Sequence, residues 1–88
     1  MCRNIRTLFN FEPPATDDEV RDAALQFVRK IAGTRRPARS NQAAFERAVA
    51  DVAAASRRLL DSMETSAAPR DREVERAKAR ERAQRRFA

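Results

Sequence analysis

Between Asn41 and Glu64 the chain reads NQAAFERAVADVAAASRRLLDSME, and this run constrains the fold more than any other stretch. Phe45, Ala48, Val49, Val52, Ser56, Leu59, Leu60 and Met63 recur at steps of three and four, which places them on one face of a helix. The alanines between them have the highest helix propensity, and neither Gly nor Pro interrupts. At about 1.5 Å per residue the run extends about 35 Å. A helix of that length with one apolar face needs a partner along it.

The partner comes from residues about 17–32. Thr16-Asp17-Asp18-Glu19 has the spacing of a capping box, with Thr16 as N-cap and Glu19 reaching back to it. The three acids also suit the positive end of the helix dipole. Val20, Ala24, Phe27, Val28 and Ile31 then form a stripe with Leu25 at its edge, and Gly33 follows the basic pair Arg29 and Lys30 as the natural stop. The connection GTRRPARS, residues 33–40, is short enough to make the two helices antiparallel neighbours, with Ser40 or Asn41 capping the second. In that register Phe27 and Ile31 lie near Phe45 and Val49. The expected fold is therefore all-α: an antiparallel helical hairpin of about 17–32 and 41–64, an N-terminal arm and a charged C-terminal helix.

Before the hairpin, MCRNIRTLFNFEPP fits either a helical turn through Ile5, Leu8 and Phe9 or an alternating strand through Ile5, Thr7, Phe9 and Phe11. Since no second strand candidate stands elsewhere, the expectation is a helical turn or irregular arm that covers the hairpin groove with Phe9 and Phe11. Pro13 and Pro14 end it. After the hairpin, TSAAPR (65–70) has linker composition, and 71–88 is an Arg-rich charged helix or tail. Pairs such as Glu73 with Arg76 and Glu81 with Arg85 support such a helix by a few tenths of a kcal/mol each. The expected organisation is a helical domain with its arm over 1–64, the linker, and the tail.

Eighty-eight residues with few large apolar side chains make one small domain whose core stabilises marginally, so a partner may contribute. Such a chain has no room for an ordinary buried catalytic pocket, and no small-molecule substrate is expected. No apolar run reaches membrane-spanning length, the N-terminus lacks the apolar core of a signal peptide, and one Cys makes no internal disulfide. These features place the protein in the cytoplasm, with no membrane partner.

The formal net charge is +6, and of the 19 basic side chains only Lys30 and Lys78 are lysines. Arg favours planar, bidentate contact with phosphate or carboxylate, although a GC-rich genome produces the same bias. The strongest concentration is RKIAGTRRPARSN, where Arg29, Lys30, Arg35, Arg36 and Arg39 stand without an acid and run into Ser40 and Asn41 at a helix N-terminus. Free amides and the dipole end beside arginines suit a phosphate or carboxylate, and a nucleic-acid backbone satisfies the pattern. The competing reading is a solvated loop. No aromatic is interleaved there to stack on bases, which argues against the reading of single-strand bases.

Arg76, Lys78, Arg80, Arg82, Arg85 and Arg86 form a second basic concentration, diluted by Asp71, Glu73, Glu75 and Glu81. Cys2, exposed by loss of Met1, has the outline of an N-terminal nucleophile with Arg3 and Arg6 lowering its thiol pKa, but no His accompanies it. One Cys and no His leave only carboxylates for a metal, so no cofactor is expected. The capping box accounts for Asp17, Asp18 and Glu19 without catalysis.

The opening MCRNIRTLFNFEPPAT, the segment ALQFVRKIAG, NQAAFERAV and PRDREVERAKAR together resemble a small bacterial family of unknown function, over nearly the full length. That resemblance implies no activity, cofactor or catalytic residue. Relatives are expected to carry SGF and KPS around the loop where this chain has AGT and RPA, which keeps the charge and removes an aromatic. The expected function is non-enzymatic, as a nucleic-acid backbone binder, with RNA or the ribosome slightly ahead of duplex DNA. The alternative is a protein-interaction or oligomerisation module.

Overall fold

The computed structural model describes residues 5–87, with the backbone alone at Phe87. Its elements are β1 (Phe11–Glu12), α1 (Asp17–Ala32), a 3-10 turn (Arg39–Asn41), α2 (Gln42–Ser62), β2 (Arg70–Asp71) and α3 (Arg72–Phe87). The architecture is largely all-α, and α1 packs on α2 as the expected hairpin.

α1 begins as its sequence dictates. Thr16 N–H donates to Glu19 Oε1 at 3.1 Å while Glu19 N–H donates to Thr16 Oγ1 at 3.2 Å, closing the capping box. It ends at Gly33, whose left-handed φ of 72° lets its N–H turn back to Arg29 O. Val20, Ala24 and Val28 are the buried residues of α1, an i, i+4, i+8 row; Ala24 and Val28 share a core cluster with Val49 of α2, flanked by Leu25, Phe45, Ala48, Val52 and Ala53. Small residues predominate there, so the core is thin.

The hairpin differs from expectation at its open side. Phe27 and Ile31 were expected against Phe45 and Val49, yet Ile31 is 73% exposed and Phe27 46%. The buried row through Val20, Ala24 and Val28 turns that edge of α1 outward. Leu59 and Met63 of the α2 stripe are exposed as well. Ser56 holds its place on the half-buried face because its hydroxyl donates to Val52 O at 2.7 Å. α2 also starts and stops inside the expected 41–64: the 3-10 turn precedes it and Met63 is extended.

The N-terminal arm is irregular over 5–10 and then meets the end of the 65–70 segment. Phe11 and Glu12 pair in parallel with Arg70 and Asp71; the alternation of the arm allows a strand at Phe11, but its partner has no signal, since Arg-Asp has no strand character of its own. Asn10 makes it possible. Its backbone takes a φ of 63°, tolerated by Asn; its carbonyl accepts from Arg70 N–H at 2.8 Å, and its side-chain amide donates to Ala68 O at 3.2 Å. The Glu12–Pro13 peptide is cis.

α3 leaves this junction without lying along the hairpin. Beyond Arg72 and Glu75 every described side chain in it is exposed. The Cα radius of gyration is 15.5 Å, against about 12 Å for a compact chain of this length. Ion pairs along α3 itself, Arg76–Glu73, Lys78–Glu75 and Arg85–Glu81, support it as a charged solvated helix. Among the described residues no helix is long and apolar enough to cross a membrane.

Candidate nucleic-acid interface

The basic loop separates into a scaffold and a surface. Arg29 is half-buried, and its Nε donates to Arg35 O at 3.3 Å, so this arginine shapes the loop. Thr34 Oγ1 donates to Arg36 O at 2.7 Å and tightens the turn further. Lys30, Arg35, Arg36, Arg39, Ser40 and Asn41 are exposed. Among the described residues the cations of this set form no salt bridge. The loop therefore presents uncompensated positive charge on a fixed backbone.

That charge stands at the start of α2. Neither Ser40 nor Asn41 caps the helix as expected: Asn41 occupies the N-cap position with φ −107° and ψ 0°, and no side chain accepts from the first turn. Asn41 spends its own N–H on Ala38 O at 2.8 Å, closing the 3-10 turn. The first turn of α2 contains no acid. The amide end of α2 is thus left without the carboxylate or hydroxyl that usually satisfies it.

Arg35 also belongs to a surface groove of about 470 Å³ that runs along the outer face of α1. Glu19, Asp22 and Gln26 line one side at helical spacing, while Arg6 and Leu8 of the arm and Arg35 of the loop complete it. Arg6, considered from sequence only as a neighbour of Cys2, therefore shares a groove of mixed charge with Arg35. No local pattern marks this role, because the fold brings the arm to the loop. Cys2 and Arg3 lie outside the described residues.

A different cluster closes the opposite end of the hairpin. Arg72 gives Nη1 to Glu19 Oε2 at 2.8 Å, Nη2 to Glu19 Oε1 at 2.9 Å and Nε to Pro13 O at 2.8 Å. Both Arg70 and Arg72 place their guanidinium carbons within 6 Å of the Phe11 ring centroid, at 5.6 and 5.8 Å. The Arg72 hydrogen bonds, with the Thr16 N–H second, pull the Glu19 carboxyl down to about 2, and Glu19 in turn raises Arg72. Asp71 accepts from Val74 N–H at 3.0 Å and starts α3. Arg57 of α2 reaches the same end, donating to Ala15 O at 3.2 Å and Asp61 at 2.9 Å. These arginines are consumed by the fold. The capping box disclosed half of what Glu19 does; its pairing with Arg72, 53 residues away, has no local signature.

Residues 1–78 match DUF2277, a family described as an uncharacterized conserved protein. The chain belongs to this family. The match takes in the arm, the hairpin, the Arg72 junction and the start of α3. No curated protein and no solved structure matches the chain.

Proposed function

We propose that this member of the family is a non-enzymatic bacterial protein of the cytoplasm that holds a nucleic-acid backbone at the loop between α1 and α2. One observation carries the reading: the first turn of α2 has neither a side-chain cap nor an acid, and exposed Arg35, Arg36 and Arg39 precede it without salt-bridge partners among the described residues. Gln42 N–H is already donated to Arg39 O, so phosphate would accept from the later amides of the first turn and from the guanidinium forks together. Arg29 sets the loop shape from behind, and Lys30 adds charge at its rim. Contacts of this kind position a backbone and carry little base preference.

The test is binding to a generic RNA and a generic duplex across a salt series. Replacing Arg35, Arg36 and Arg39 with Ala is expected to shrink the slope of log K against log salt by about two to three. An unchanged slope, or no binding at low salt, overturns the proposal.

Exposed Phe27, Ile31, Leu59, Met63 and Val74 favour a second reading, a protein-interaction or oligomerisation module. Sedimentation of a strict monomer across concentration counts against self-association.

A further inference from the structure

The outer groove of α1 combines groups that a phosphate alone does not need. Arg6 and Arg35 supply cations, whereas Asp22 supplies a carboxylate and Gln26 an amide. Glu19, the other acid there, is already held by Arg72. Asp22 is exposed and, among the described residues, has no hydrogen-bond or salt-bridge partner. Glu19, Asp22 and Gln26 follow one another at i, i+3 and i+7, so the groove floor is one face of α1 over about 10 Å. Ala23, between them, keeps the floor low. The volume of about 470 Å³ falls within the range of small-ligand clefts.

A ligand matched to this arrangement carries an anion for the guanidinium groups and, beside it, hydroxyls to donate to a carboxylate. Ribose linked to phosphate has both. Deoxyribose lacks the 2′-hydroxyl, the group by which proteins tell RNA from DNA. A lone carboxylate facing DNA would only repel its phosphates.

We infer that the groove seats one ribonucleotide unit of single-stranded RNA, with phosphate between Arg6 and Arg35 and the 2′-hydroxyl donating to Asp22. This rests on the backbone-binding reading above and adds to it a preference for RNA. Arg35 is the shared residue that carries the strand from the loop into the groove. Gln26 offers a donor and an acceptor to the base or sugar.

The experiment is fluorescence anisotropy at low salt with oligo-U RNA and oligo-dU DNA of equal length, which differ only in the sugar hydroxyl. The wild-type chain is expected to bind the RNA about tenfold more tightly, the scale of one charge-assisted hydrogen bond. Asp22→Ala, which removes both the acceptor and the charge, is expected to bring the ratio to about one through weaker RNA and tighter DNA binding, with helical circular dichroism intact. Arg6→Ala is expected to weaken both ligands by the same factor. Equal wild-type affinity for both oligonucleotides overturns the ribose site and leaves backbone binding standing. Absence of binding to either overturns both. Uridine monophosphate bound as tightly as the oligonucleotide overturns the polymer and assigns the groove to a free nucleotide.

Discussion

The two long helices begin in opposite ways. α1 starts with Thr16 and Glu19 locked in reciprocal hydrogen bonds, three acids in its first turn, and Arg72 clasping one of them. α2 starts on a 3-10 turn with no side-chain cap, no acid and a cluster of exposed arginines. Both ends carry the same positive dipole. At the first, the chain supplies its own carboxylate; at the second, it brings more positive charge to a place that already favours an anion. Arginine is abundant at both ends, so abundance alone does not mark a binding surface. What distinguishes them is whether the chain has already provided each guanidinium with a partner.

That contrast can be broken most severely at Glu19. Glu19→Ala removes the return bond of the capping box and the bidentate partner of Arg72. It is expected to cost about 1.5 kcal/mol at pH 7, discounted for a carboxylate one-third exposed, as read by urea unfolding. The loss is pH-dependent with a definite sign. Glu19 is held at about 2, below its ordinary 4.5. Its contribution is present above pH 4.5 and disappears as pH falls towards 2. Wild type and variant should converge in that acid window; a gap that persists below it would separate Glu19 from the closed end.

A smaller effect distinguishes the two N-caps directly. Thr16→Ala is expected to destabilise by about 1 kcal/mol, the usual cost of a lost N-cap. Asn41→Ala should change stability by at most about 0.3 kcal/mol, because its side chain caps nothing. Comparable losses in the two variants would erase the distinction.

The smallest effect sharpens it. Asn41→Asp gives α2 the acid that it lacks and is expected to stabilise by about 0.5 kcal/mol through the dipole. The same change should weaken nucleic-acid binding, so stability and affinity move in opposite directions. Thermal unfolding and a salt titration on one sample read both.

The local features of the fold were legible in the sequence: the capping box at Thr16, the Gly33 stop and the pairing of two amphipathic runs are all set by residues within a few turns of one another. Which arginines remain free was not legible. Arg29 and Arg39 look alike in sequence, yet the turn at Gly33 brings Arg35 O within reach of Arg29 and leaves Arg39 outward. The same limit applies to the exposed edge of α1. Phe27 and Ile31 have the right spacing for a core, but the row that packs is chosen by the small residues Val20, Ala24 and Val28, which permit closer approach. Arg6 and Arg72 gain their roles from segments separated along the chain, and hydrophobic periodicity is silent on such contacts.

The Asn10 and Arg72 junctions have a consequence for the order in which the chain can fold. Their hydrogen bonds join residues 53 to 60 positions apart, whereas the hairpin needs only the short turn after Gly33. During synthesis the hairpin is complete while Arg70 and Arg72 have yet to emerge, so Phe11 spends that interval without its guanidinium cover and Glu19 without its partner. Translation thus delivers the stitch last, and a chain stopped before Arg70 would retain both helices of the hairpin while its first segment had nothing to fasten to.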